Sequence, residues 1–284
     1  MATVETLVHG AVSLVNAIST GNGATLGIDT FVKTRLETKD GTGIYITSDN
    51  KTISSRLINK VIENIVPKRQ LEKTRLELDF KSNIPTGYGL KSSSAISTAV
   101  SMACSKAFKK DMNDKKILKV GVESSIQTKV SITGAFDDAC ACYYGGFVIT
   151  DNYNKKIIHS EKCLNRVSAV IFVPKSRKRG NIRKLKASSD IFEQAWNLAK
   201  KSDYWGAMNL NGLATSNILS SEPKIISELI ENGALGASVS GNGPSIAAIV
   251  KNDTIPKIKN VFSSLEGNTT VSQINNKKAE VHEL

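Results

Sequence analysis

The tightest constraint on this chain is a strand, a glycine- and serine-rich loop and a helix in direct succession. Leu76, Leu78 and Phe80 alternate with Arg75, Glu77 and Asp79, the period of a half-buried strand. Helical character follows over roughly 93–109. The connection, Ile84-Pro85-Thr86-Gly87-Tyr88-Gly89-Leu90-Lys91-Ser92-Ser93-Ser94-Ala95, has the composition of a phosphate cradle. Glycines let the backbone approach a polyphosphate, a helix start offers unpaired N–H groups and the positive end of its dipole, and hydroxyls bond oxygen or a metal. It is not a Walker loop, because no Gly-Lys-Ser/Thr occurs in it. Read alone, the stretch equally fits a serine-rich helix cap after a Pro-Gly turn.

The rest of the chain predicts an α+β layout. Val32, Thr34 and Leu36 alternate with Lys33, Arg35 and Glu37 in a second strand. Leu57, Ile58, Val61, Ile62, Ile65 and Val66 fall at helical spacing, with Ser54 or Ser55 available as N-cap and Pro67 as a stop. A helix is expected over 113–129, a strand over 145–150 and an apolar run over 167–173. Residues 175–186 then carry seven basic residues and no acid, a composition break between two domains, 1–165 and 166–284. Beyond it, helical patterns cover 190–201, 204–219 and 223–232, and short apolar strands at 235–239 and 246–250 flank Ser240-Gly241-Asn242-Gly243-Pro244.

Composition removes several classes. A chain of 284 residues buries a core without disulfide or metal staples. Four cysteines and three histidines are too few and too scattered for a zinc site, and Cys140-Ala141-Cys142 has no second pair to complete it. No stretch approaches the roughly 20 apolar residues of a membrane span, and no basic region followed by an apolar run opens the chain. A cytoplasmic protein without a membrane partner is expected. The net charge of +12 suits nucleic acid, an anionic small substrate or a lysine-rich surface. Residues 175–186 contain no Phe, Tyr or Trp on which bases could stack, which argues against nucleic acid.

Pro85-x-Gly87-x-Gly89-Leu90-x-Ser92-Ser93 resembles the ATP-binding loop of the GHMP kinases, the family of galactokinase, homoserine kinase and mevalonate kinase. Two further motifs fall in that family's order. Thr133-Gly134-Ala135-Phe136-Asp137-Asp138-Ala139 resembles the segment carrying the catalytic aspartate in mevalonate-kinase-like members, and Gly236-Ala237-Ser238-Val239-Ser240-Gly241-Asn242-Gly243-Pro244-Ser245 resembles the glycine-rich third motif. Within the superfamily the chain is similar to the archaeal type of shikimate kinase. That likeness is carried by Gly89-Leu90-Lys91-Ser92-Ser93-Ser94-Ala95, with Lys where relatives usually have Gly, and by the extension of the second motif to Cys140-Ala141. The runs Gly10 to Ile18 and Gly23 to Asp29 carry it too.

The resemblance implies an α+β GHMP kinase fold of two subdomains, an N-terminal β-α-β half like a ribosomal protein and a C-terminal ferredoxin-like α/β sandwich, with ATP at their junction. It implies Mg²⁺-dependent phosphorylation of the shikimate 3-hydroxyl by a monomer or homodimer. ATP would be held by Pro85, Gly87, Tyr88, Gly89, Leu90, Lys91, Ser92, Ser93, Ser94 and Ala95, with Ser93 and Glu123 as metal ligands. Asp137 would orient or deprotonate the attacking hydroxyl. Asn16, Asp138, Gly241 and Gly243 would face the substrate, with Asp138 bonding backbone or metal. Arg177, Arg179 and Arg183 are the candidates for its carboxylate, which guanidinium binds in a bidentate manner. Each assignment has a plainer alternative: a helix N-cap for the aspartates and a hairpin turn for Gly241-Asn242-Gly243. Homoserine kinases usually lack an aspartate at the second motif. Mevalonate kinases carry an assisting lysine near the N-terminus, where this chain has His9-Gly10-Ala11.

Overall fold

A computed structural model describes residues 1–49, 53–164, 166–177, 181–219 and 223–284. The first layer is built on β1 (Thr3–Val15) and β2 (Asn22–Asp40), antiparallel neighbours with a register shift between His9 and Gly10. The chain then crosses through β3 (Ile44–Ser48), α1 (Ser55–Ile65), the short α2 (Lys68–Leu71) and β4 (Thr74–Ser82). β3 and β4 are parallel, a pairing that requires such a crossover, while β4 lies antiparallel to the second half of β2. Ser54 is the cap of α1, its side chain accepting from the Leu57 N–H at 3.3 Å, and Leu57, Ile58, Val61 and Ile62 are buried.

Helices α3 (Ser92–Ala107), α4 (Asp114–Gln127) and α5 (Phe136–Tyr144) follow. α3 touches β1, β2, α1, α4 and α5, and residues 94–105 are all buried. Neighbours on every side explain why it is made of small residues. Two of its hydroxyls are satisfied within the helix: Ser97 Oγ donates to the Ser94 carbonyl at 3.1 Å and Ser101 Oγ to the Ser97 carbonyl at 2.8 Å. β5 (Phe147–Asp151) pairs with the first half of β2, and β6 (Lys156–Glu161) extends the sheet from β5.

β7 (Val167–Pro174) opens the second layer. A 3₁₀ segment (Ile182–Ser188) leads to α6 (Ser189–Lys200), α7 (Tyr204–Ile218) and α8 (Pro223–Glu231). β8 (Gly236–Val239) and β9 (Ile246–Lys251) form a hairpin, and α9 (Ile255–Ser263) returns the chain to β10 (Gly267–Gln273). The four strands lie in the order β10-β7-β9-β8, all antiparallel.

Two features depart from the sequence reading. β2 starts at Asn22 rather than near Val32, because residues 23–28 are buried on both faces and show no alternation. The last strand, β11 (Glu280–Glu283), for which no strand was expected, pairs with β1 in the first sheet. β11 covers an edge of β1 that would otherwise present unpaired backbone groups.

Candidate active site

The loop between β4 and α3 enters the helix through Lys91, the N-cap, whose φ of 67° lies in the left-handed region usually given to glycine. Nothing in the side chains caps this helix. The N–H groups of Ser92, Ser93 and Ser94 have no acceptor among the described residues, as expected of a first helical turn left open for an anion. The β8–β9 turn rests directly on this loop. Ser240 Oγ donates to the Gly89 carbonyl at 2.9 Å, and the Ser245 N–H donates to the Tyr88 carbonyl at 3.1 Å. A Cβ on Gly89 would stand 2.0 Å from the Ser240 carbonyl oxygen, so only glycine allows the approach.

The second motif opens α5. Its N-cap is Ala135, at φ 53°, and the two aspartates lie inside the first turn, which removes the cap alternative for them. Asp137 is held from two sides: Asn152 Nδ2 donates to its carboxylate at 2.7 Å, and its own N–H donates to Asn152 Oδ1 at 3.0 Å. Gly23 makes room, since a Cβ there would lie 2.4 Å from Asp137 Oδ2. Thr25 Oγ1 stands 3.1 Å from Asp137 and 3.3 Å from Asp138, one proton between two carboxylates.

Asp138 meets the side chains of Thr25 and Lys91. The Lys91 ammonium lies 3.0 Å from its Oδ1, in an ion pair whose lysine side chain is 4% exposed. Burial, reinforced by the charge of Asp137, pushes the Asp138 carboxyl up to about 7, against the opposing pull of Lys91. Lys91 Nζ also donates to Ser13 Oγ at 2.7 Å, and the Gly241 N–H donates to the same oxygen at 3.0 Å. Lys91 thus brings a cation from the loop into the cavity, beside the aspartates. The backbone position is one that favours glycine, and the side chain it carries here makes the ion pair.

These elements enclose a cavity of about 400 Å³. Gly87, Gly89, Lys91, Ser92, Ser93 and Ser94 line it, facing Ser13, Asn16, Asp137, Asp138 and Gly241, with Ser125, Lys129 and Ile182 on other walls. Pro85 and Tyr88 do not line it, and Leu90 and Ala95 are buried in the core, where they anchor the loop. Asn16 lines the cavity while its side chain holds the Gly241 carbonyl at 2.7 Å and its N–H is held by Asn211 Oδ1 at 2.8 Å. Gly243 gives its N–H to the Ser240 carbonyl inside the turn and lies outside the lining. Glu123 also lies outside the lining, beside Lys155 at 3.4 Å and Lys119 at 3.7 Å. Among the described residues no cluster of three His, Cys, Asp or Glu could hold a metal. The Arg177 guanidinium lies over the Tyr88 ring, 5.2 Å from its centre. Arg179 and the side chain of Arg183 are outside the described residues. Sequence reasoning missed Ser13, Thr25, Asn152 and Lys129. The first two were signalled by hydroxyls in the runs Gly10 to Ile18 and Gly23 to Asp29, whereas nothing in the sequence marks Asn152 or Lys129.

The descriptions of two family models match this chain: the GHMP kinases N terminal domain over residues 56–146 and the GHMP kinases C terminal domain over residues 207–266. The chain belongs to the GHMP kinase family. It is 34% identical over 278 residues to a shikimate kinase of Methanobrevibacter smithii, covering 94% of this chain and 95% of that one. To a shikimate kinase of Methanosarcina mazei it is 36% identical over 280 residues, covering 95% and 94%. The crystal structure of the Methanococcus jannaschii mevalonate kinase superposes with a TM-score of 0.76 at 16% identity, covering 96% of this chain and 98% of that one, a likeness of fold. As a GHMP kinase the chain is an ATP-dependent small-molecule kinase, and among the described residues no helix is long and apolar enough to cross a membrane.

Proposed function

We propose that this GHMP kinase transfers the terminal phosphoryl group of ATP to the 3-hydroxyl of shikimate, giving shikimate 3-phosphate and ADP. Likeness to archaeal shikimate kinases over nearly the whole chain supports the substrate, and the buried Lys91–Asp138 pair in a cavity shared by all three motifs carries the chemistry. Phosphoryl transfer asks a protein mainly for positioning and charge stabilisation.

The open first turn of α3, Lys91 and Lys129 suit the phosphates of ATP, and Ser93, which lines the same cavity, would offer its hydroxyl to Mg²⁺. The metal would neutralise phosphate charge, and kinases hold it largely through the phosphates themselves, with few protein ligands. The role first expected for Asp137 passes to its neighbour in this reading. Asp138 accepts the proton of the 3-hydroxyl, since it faces Lys91 and its carboxyl sits at about 7. Asp137, clamped by Asn152 and Thr25, supplies the negative charge that keeps Asp138 basic. The basic segment is the partner for the shikimate carboxylate, since Ile182 within it lines the cavity. The two proposed domains, 1–165 and 166–284, meet at this site.

A coupled ADP-release assay over shikimate, homoserine, mevalonate and galactose tests the reading. ADP release dependent on shikimate is expected. Turnover of another member of the panel with none of shikimate would overturn it.

A further inference from the structure

Ser13, near the end of β1, is 2% exposed, and its hydroxyl oxygen accepts two hydrogen bonds, from the Lys91 ammonium at 2.7 Å and the Gly241 N–H at 3.0 Å. A serine hydroxyl has two acceptor positions and one proton. With both positions filled, the proton must point away from the two donors, and no acceptor among the described residues lies within reach of it. Ser13 lines the cavity, which is the space left to that proton. We infer that the Ser13 hydroxyl donates a hydrogen bond to the phosphoryl group as it passes from ATP to the substrate. This rests on the phosphoryl-transfer reading above and adds a catalytic residue to it.

Three observations favour the phosphoryl group over the substrate as acceptor. A hydroxyl that accepts from an ammonium and an amide is polarised into a stronger donor, matched to an anion more than to a neutral hydroxyl. Its two donors come from the phosphate loop and the glycine turn, so the same oxygen joins the elements that gather negative charge. During transfer that charge spreads over the three equatorial oxygens of the moving group, where a fixed donor stabilises the transition state more than either ground state.

The test uses the full-length chain with Ser13→Ala, Ser13→Cys and Ser13→Thr. Wild type is assayed first on the four-substrate panel. Failure on shikimate alone overturns the substrate reading, and Ser13 is then tested on whichever substrate is turned over. Relative to wild type, Ser13→Ala and Ser13→Cys should lower kcat by about 10²-fold, the loss typical of one such donor. The KM values and the affinity for ADP should change less than about threefold, and Ser13→Thr, which keeps the hydroxyl, should recover most of the rate. Calorimetry with ADP, aluminium fluoride and substrate, a mimic of the moving phosphoryl group, should show weakened binding for Ala and Cys but not for Thr. Unchanged kcat in Ser13→Ala, or an equal loss of ADP and mimic affinity, overturns the inference. If Ser13→Ala does not fold, Ser13→Cys against Ser13→Thr decides the same question.

Discussion

Lys91 occupies a backbone position that penalises it, since a non-glycine residue in the left-handed region costs roughly 1–2 kcal/mol. Lys91→Gly relieves that strain but leaves the buried Asp138 carboxyl without its cation, the larger effect, so the thermal midpoint should fall at neutral pH, and kcat should fall by about 10²-fold or more, because a fixed charge beside the reacting atoms is lost. Retained turnover together with a raised thermal midpoint would show the ion pair to be dispensable. The same pair sets a pH dependence. A base must be unprotonated, so with Asp138 at about 7 the value of kcat/KM should rise through neutral pH and then level. Lys91 pulls that carboxyl down and Asp137 pushes it up, so the two substitutions have opposite signs. Lys91→Met should move the rising limb to higher pH, and Asp137→Asn should move it to lower pH while leaving substantial activity. Asp138→Asn should lose about 10²-fold or more in kcat without altering the fold. If Asp137→Asn proves the inactive variant and Asp138→Asn the active one, the assignment of the base reverses.

At the scale of elements, the phosphate loop and its helix were legible because glycine, serine and a change of period mark them locally. The character of α3 was less so. Its run of Ser, Thr and Ala reads as neutral, yet the helix is enclosed by β1, β2, α1, α4 and α5, and only small side chains fit there. Gly121 on α4 shows how close the packing is, for a Cβ would lie 2.9 Å from Ser97 Oγ. Ala99, fully buried on α3, should accordingly reject Leu: Ala99→Leu should destabilise by about 1–3 kcal/mol or prevent folding, measured by denaturant unfolding. An Ala99→Leu variant as stable as wild type would mean that the helix can shift to make room. Alternation revealed β4 and the second half of β2, where one face meets solvent, and failed for residues 23–28, which are covered on both faces. The Lys91–Asp138 pair was illegible for a different reason: its partners are 47 positions apart in sequence and meet only because α3 and α5 start at the same cavity.

For the molecule as a whole, β1 is the member that joins every part. Its first residues carry β11, its length pairs with β2, and its end supplies Ser13 and leads into Asn16, which reaches Asn211 on α7 and the Gly241 carbonyl in the third motif. No local pattern in the sequence announces that a strand at 280–283 completes a sheet begun at residue 3, because such pairing is settled by the unpaired edge it covers. The two ends of β1 therefore serve different purposes. β11 pairs with Val4 to Leu7, and Leu7 lies six residues before Ser13, roughly 20 Å along an extended strand. A chain ending at Ala279 should lose the edge protection of β1 without disturbing the cavity. Its thermal midpoint should fall by about 2–6 °C, the shift expected for a loss of one to two kcal/mol in a chain of this size. Turnover per folded molecule should stay within about twofold of wild type. A collapse of kcat with an unchanged midpoint would place the C-terminal strand in the catalytic machinery instead, and would require that its pairing be felt along the whole length of β1.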